Sequence, residues 1–194
     1  EIINKINNYI ELKLSISAYM KLFFNIGKIV CTKSHWKNCY NFIKTSKQGR
    51  LFIIYDNIHI LRDRDSFILY LNKNINNNFK IKIGGTISKW YDTSFQVHHK
   101  NKFNNISIKI SESDLEDGLY VTHWKKGDTV EYNNMHKKIS NMFIDNKISN
   151  YNKKYYPIIR NQYNKILWVP NIFNNSMNMC QKQLYLSWSN TFNE

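Results

Sequence analysis

The stretch LYVTHWKKGDTVEYNNMHKKISNMFIDNKIS runs from Leu119 to Ser149, and YPIIRNQYNKILWVPNI follows it from Tyr156 to Ile172. Leu119–Val121 reads as a short apolar strand. Lys125–Asp128 (KKGD) reads as a turn, because Gly and Asp tolerate turn backbone. Beyond it, Met135, Ile139, Met142 and Phe143 recur at helical spacing. That spacing predicts a helix over about 135–147, capped by Asn133 or Asn134. Pro157–Arg160 and Ile166–Val169 then make a hairpin around the NQYNK loop, and Leu184–Trp188 a final strand. Strands and a helix in this order predict a small α+β unit.

Working towards the start of the chain, residues 1–30 read as helix. Ile2, Ile3, Ile6, Tyr9, Ile10 and Leu14 keep helical spacing, and neither Gly nor Pro interrupts before Gly27. A second helix fits 33–46, capped by Ser34, with Trp36, Cys39 or Tyr40, and Ile43 as its apolar stripe. From Leu51 the texture changes. The runs LFIIYD, NIHIL and SFILYL, broken at Asp56-Asn57 and Asp63–Asp65, predict a small antiparallel sheet. The polar Asn72–Asn78 (NKNINNN) is a loop or linker. Further strands are expected at FKIKI, which leads into Gly84-Gly85, and at Phe95–Val97 and Ile106–Ile110, with His98-His99 and Lys100–Asn105 in an exposed loop. The expected fold class is therefore α+β: an N-terminal helical module with a small antiparallel sheet, then a second small α+β domain. The expected boundaries are a helical module with β-hairpins over 1–72, a β-containing linker region over 73–115 and a C-terminal α+β domain over 116–194. No repeat of solenoid period is present.

The 194 residues carry 28 Lys and Arg against 14 Asp and Glu, a net charge of +14. A surplus of that size points to a polyanionic partner, nucleic acid before membrane surface. Composition tempers the inference. Lys outnumbers Arg 24 to 4, Asn occurs 29 times and Ile 27 times, and Ala18 is the one alanine, which is what AT-rich codons write. The positions of the lysines, not their total, must carry the argument. With 42% apolar and 15% aromatic residues the chain has enough to bury a core, which excludes wholesale disorder. No run of about 18 uncharged apolar residues exists, which excludes a conventional membrane helix. Cys31, Cys39 and Cys180 are an odd number without a CxxC pair, against both a disulfide scaffold and a structural zinc site. Reduced, partly buried thiols are expected. The chain opens on Glu1 rather than Met and directly on a helical pattern, so it is expected to be a piece of a longer protein.

Catalytic patterns are scarce. Neither GxxxxGK[ST] nor GxGxxG is present. His98-His99 has no Cys or carboxylate at helical spacing and reads as an exposed pair, while Cys31 and Cys39 read as structural thiols. Glu112, Asp114, Glu116 and Asp117 fit no calcium-loop spacing and read as a solvated loop before a strand. No catalytic residue and no metal ligand is nominated. The basic positions cluster instead: Lys125, Lys126, His136, Lys137 and Lys138, followed by Lys147, Lys153, Lys154 and Arg160, are the candidate RNA-binding residues. On a helix over 135–147, Lys137 and Lys138 fall in the first turn, where each exposed cation opposes the helix dipole by roughly 0.3–1 kcal/mol. A bound phosphate there would reverse the sign. The residues alone leave open whether these lysines bind RNA or are merely the default polar residue of this composition.

The two quoted stretches resemble the C-terminal domain of bacterial and plastid tRNA(Ile)-lysidine synthetase (TilS). That family runs from a GD turn after a basic strand, through a KK helix ending in a FIDxKI phrase, to an ILWVPG strand. The matching residues are Gly127-Asp128, Lys137-Lys138, Phe143–Asp145 with Lys147-Ile148, and Ile166–Pro170. Weaker likenesses cover Ser111–Leu119 (SESDLEDGL), Lys82–Thr86 (KIGGT), and residues 33–46 with Asn57–Asp65 (NIHILRDRD), the last resembling the family's helical middle domain. This chain departs where the family usually has Arg, Pro and Gly, carrying Thr122, Ser149 and Asn171 instead.

The resemblance implies part of an ATP- and Mg-dependent ligase that joins lysine to C2 of the wobble cytidine of the CAU-anticodon isoleucine tRNA. In the family, C2 is adenylated and the lysine amine displaces AMP, in an N-terminal domain with a Ser-Gly-Gly-x-Asp-Ser loop. This sequence contains no such loop. The resemblance therefore implies the tRNA-recognising half, with lysine and ATP bound by the missing domain and no cofactor bound by this chain. Lys125, Lys126, Lys137, Lys138 and Arg160 are the expected phosphate contacts. Trp124, Trp168 and Trp188 are expected in the core rather than stacked on bases. The helical module is expected to link to the catalytic domain near the anticodon arm. No membrane partner is expected, and a homo-oligomer stays open. The expected compartment is a plastid-type organelle, or the cytoplasm if the chain is bacterial. Two other classes stand beside this one: a structural RNA-binding protein of an organellar ribosome, and a protein–protein module whose charge is codon bias.

Overall fold

Asn8 begins the first helix of the computed structural model, which describes residues 7–72, 79–84, 87–100, 106–132, 135–175 and 183–190. The chain divides into two compact units, Glu1–Asn74 and Ile75–Glu194.

In the first unit the Asn8 side chain accepts the N–H groups of Ile10 (2.9 Å) and Glu11 (3.1 Å). These are two of the donors that a helix start leaves unpaired. Helix α1 (Tyr9–Phe24) ends at Asn25, whose φ of 55° is left-handed backbone that Asn tolerates better than most residues. The expected helix over 1–30 is thus shorter: it stops at Asn25 rather than running to Gly27, and residues 1–6 lie outside the described residues. Helix α2 (Lys33–Thr45) is capped by Thr32, two residues before the expected Ser34, with the Thr32 hydroxyl accepting the His35 N–H at 3.2 Å. Three strands, β1 (Leu51–Tyr55), β2 (Ile58–Asp63) and β3 (Ser66–Leu71), form the antiparallel sheet β1-β2-β3. Leu12, Ile16 and Met20 of α1, Trp36 and Cys39 of α2, and Ile54, Ile58 and Ile60 of the sheet make the core. Each such side chain contributes roughly 1.5–3 kcal/mol by leaving water. Burial pushes the Cys39 thiol up to about 12. The part-buried Cys31 thiol donates to the Ile54 carbonyl at 3.0 Å, and both are free cysteines. Cys180 lies outside the described residues.

The second unit begins with β4 (Lys80–Ile83), β5 (Ser88–Trp90), β6 (Thr93–His98) and β7 (Ser107–Ser111). Then come α3 (Glu112–Asp117), β8 (Leu119–Thr122), β9 (Thr129–Tyr132), β10 (Met135–Lys138), α4 (Ile139–Asp145) and α5 (Asn150–Tyr155). It closes with β11 (Ile158–Asn161), β12 (Ile166–Val169), β13 (Phe173–Asn174) and β14 (Gln183–Asn190). One sheet has the order β13-β12-β11-β8-β4, another β5-β6-β14-β7, and β9 and β10 form a hairpin, all antiparallel. The five-stranded sheet is a middle layer. Ile159, Val121 and Ile83 face the four-stranded sheet, meeting Phe95, Ile108, Leu184, Leu186 and Trp188. Ile158, Ile166 and Val169 face the other way, against Val130 of the hairpin and Ile139, Met142 and Phe143 of α4. Burial on both faces explains why the runs PII and ILWV show no polar alternation. Trp168 and Trp188 lie in this core as expected, and Trp124 packs edge-on against Phe143 at 5.8 Å.

Three expectations change here. The stretch 73–115, expected as a linker region, supplies β4, which pairs with β8, and β7, which pairs with β14, so its strands belong to the sheets of the C-terminal unit. The expected loop at Glu112–Asp117 is the short helix α3, capped by Ser111. The expected helix over 135–147 exists only from Ile139. Residues 135–138 form β10, each opposite a residue of β9, and Met135 is exposed rather than core. The proposed caps Asn133 and Asn134 lie outside the described residues. No helix among the described residues is long and apolar enough to cross a membrane.

Candidate nucleic-acid interface

The KKGD turn is a built structure. Asp128 N–H donates to the Lys125 carbonyl at 3.0 Å, and Gly127 sits at φ 99°, the left-handed backbone a type II turn demands at that position. The Asp128 carboxylate then folds back, its Oδ2 accepting the Lys125 N–H at 2.6 Å. The same oxygen receives Nη2 of Arg160 at 2.5 Å. Arg160 comes from β11, and its side chain is only 4% exposed, against 13% for Asp128. Its Nε donates to Thr122 Oγ1 at 2.9 Å and its Nη1 to the Asn164 carbonyl at 3.3 Å. A buried guanidinium needs such partners, because stripping its water without them costs several kcal/mol, on the order of the whole pair's worth.

Arg160, expected to touch phosphate, is thus an internal strut that holds the turn from beneath. Thr122, standing where the family usually has Arg, is one of its acceptors, and its hydroxyl also donates to the Ile158 carbonyl at 3.1 Å. The other two departures fit as well. Ser149 caps α5, accepting the Asn152 N–H at 3.0 Å. Asn171 takes φ 59°, the backbone that makes glycine common there.

Above this strut, Lys125 and Lys126 are exposed on the turn. In the hairpin register Lys138 lies opposite Thr129, next to Asp128, and the Ile139 N–H donates to the Asp128 carbonyl at 3.0 Å. Lys125, Lys126 and Lys138 therefore share one end of the hairpin. The outer face of β9–β10 also carries His136, directly opposite Glu131. Lys137 points to the other face, the one that bears Val130 and Tyr132. Its ammonium binds Asp145 at 2.8 Å and lies 5.6 Å from the Tyr132 ring centroid. The hydrogen bond to Asp145 holds it above the usual lysine range. The helix-dipole argument falls away for Lys137, which stands on β10, while Lys138 ends that strand as the N-cap of α4, with no side-chain cap hydrogen bond.

The remaining candidates stand on other elements. Lys147 is exposed after α4 at φ 56°. Lys153 and Lys154 are half-buried on α5, where Lys153 Nζ donates to Asn150 Oδ1 at 3.3 Å. The Lys154 carbonyl accepts from His123 Nδ1 at 2.8 Å. His98, expected in a loop, ends β6 with its Nε2 3.0 Å from the Ser187 hydroxyl, and His99 is exposed beyond it. Among the described residues no three His, Cys, Asp or Glu side chains are grouped to hold a metal ion.

His123 was not singled out from the sequence. It is buried, and its Nε2 lies 3.0 Å from the Tyr91 hydroxyl. A carbonyl only accepts, so Nδ1 carries the proton and Tyr91 donates to Nε2. Burial holds the imidazole below its ordinary range.

No family model matches the chain, and no curated protein does. Among solved structures, a crystal structure of a TilS C-terminal domain is similar, with a TM-score of 0.50 and 17% identity, over 58% of this chain and 97% of that one. The chain therefore contains a fold like that of a TilS C-terminal domain.

Proposed function

We propose that this chain is the tRNA-recognising portion of a tRNA(Ile)-lysidine synthetase, acting by RNA binding rather than by catalysis of its own. The single observation that carries the reading is the KKGD turn. It presents Lys125 and Lys126, with Lys138 beside them, on backbone held by a buried ion pair. A disposable surface lysine needs no such support. Ammonium groups on a rigid turn lose little conformational freedom on meeting a phosphate, and RNA offers phosphates and 2′-hydroxyls more readily than base edges. The fold likeness and the sequence resemblance support the same assignment. On this reading the ligation of lysine to the wobble cytidine, with its ATP and Mg, belongs to a catalytic domain bearing the Ser-Gly-Gly-x-Asp-Ser loop. The enzyme's compartment is then a plastid-type organelle or a bacterial cytoplasm.

The test is a salt series of this chain against the CAU-anticodon isoleucine tRNA and against elongator methionine tRNA. The unaltered chain is expected to prefer the isoleucine tRNA at about 0.15 M salt, where non-specific contacts weaken. Lys125→Ala with Lys126→Ala is expected to lower the slope of log affinity against log salt by about 1.5, at about 0.7–0.9 per phosphate contact. An unchanged slope, or no binding to either tRNA, overturns the proposal.

A further inference from the structure

Three segments far apart in the sequence bring aromatic rings together within the C-terminal unit. Phe79, just before β4, stacks on Trp90 of β5, with centroids 5.8 Å apart and planes at 20°. Trp90 meets Tyr91 edge-on at 5.2 Å, and Tyr91 meets Tyr155 of α5 edge-on at 5.0 Å. The underside is fastened by directional bonds. Trp90 is fully buried and donates its indole N–H to the Tyr155 carbonyl at 2.7 Å. The Tyr91 hydroxyl is held by His123, itself bonded to the backbone of α5. The two rings that flank Trp90 reach solvent, Phe79 being 46% and Tyr91 42% exposed.

Tyr91 is an odd choice for its place. It sits in the two-residue turn between β5 and β6 at φ 49°, where Gly or Asn is the favoured residue. A bulky side chain holds that backbone only when its surroundings over-determine it, and such outliers gather at functional sites. On α5, Lys153 and Lys154 lie between Tyr151 and Tyr155, and Lys89 is exposed next to Trp90, whereas Lys80 alternates away from Phe79 and places its Nζ 4.6 Å from the Tyr120 ring centroid. Asp92 is the one carboxylate in the turn. His123 stands two residues before Lys125, so the platform adjoins the basic turn along the chain.

Aromatic faces among cations are how proteins hold unpaired nucleotides, since every base has a π-face and every linkage a charge. We propose that this platform stacks an unpaired base of single-stranded RNA, with Tyr91 and Phe79 as the stacking faces. The proposal rests on the RNA-binding reading above and adds a contact that a duplex cannot make.

The test uses one RNA hairpin in two forms, blunt and with a four-nucleotide 3′ single strand carrying 2-aminopurine. The unaltered chain is expected to bind the single-stranded form about tenfold more tightly, the weight of one stacked base, and to quench the 2-aminopurine. Phe79→Ala and Tyr91→Ala are each expected to remove most of that difference while the blunt hairpin binds as before. Tyr91→Phe is expected to keep most of it, because the ring remains. Equal binding of both forms by the unaltered chain overturns the platform and leaves the RNA-binding reading standing. Failure to bind either form also overturns the platform, while the tRNA-recognition reading is judged separately by its own salt series with the two tRNAs.

Discussion

Arg160 carries the clearest lesson at the scale of single residues. By charge alone it belongs with the lysines. By place it ends the apolar run Ile158-Ile159, and Arg is the cation suited to buried, forked hydrogen bonding. Its bonds to Asp128, Thr122 and Asn164 leave its guanidinium engaged inside the protein. Arg160→Ala is expected to destabilise the C-terminal unit by about 3–5 kcal/mol, because Asp128 would be left with an uncompensated charge. Urea unfolding followed by tryptophan fluorescence would measure it. Arg160→Lys is expected to recover only part of that loss, since one ammonium cannot reach three acceptors in the guanidinium plane. The sequence did carry a hint: Asp128 is the one acid between Lys125 and Val130, as a partner for a buried cation has to be.

At the scale of elements, the stretch after Asp128 shows how two periodicities overlap. Met135, Ile139 and Met142 satisfy helical spacing, yet Met135 is exposed and its strand is set by pairing with β9. A four-residue run has too few positions to tell a period of two from one of 3.6. Partner choice decides it, and partner choice is a non-local fact. The junction of β8, α5 and the β5–β6 turn is equally non-local, and it hangs on His123. Its folded-state pKa is lowered by burial, so the unfolded chain takes up a proton first on acidification. Stability from this group is therefore fully present above about pH 6.5 and is lost as pH falls from there through the folded value. Urea midpoints at pH 7.5 and 5.5 are expected to fall on acidification, and His123→Gln is expected to flatten part of that dependence. An unchanged slope in the variant would mean that other groups carry it.

At the scale of the molecule, each of the two units has a core of its own. The segment 75–194 holds the middle sheet and, among the described residues, the core side chains packed on its two faces. It is expected to fold alone, with one cooperative urea transition, and to keep the tRNA salt slope of the whole chain. A fragment without a cooperative transition would show that the first unit is required for its stability. The sequence by itself determined the α+β class, most strands, both early helices and the turn chemistry at KKGD, because apolar spacing and Gly or Asp backbone preferences act over a few residues. Only the tertiary structure decided that strands β4 to β7 join the C-terminal sheets and that Arg160 is a strut beneath the lysines. It alone also gathered Phe79, Trp90, Tyr91 and His123 at one place. Those facts depend on which strand pairs with which across tens of residues, and chain closure at that range is selected by the summed burial of the whole unit rather than by any local pattern.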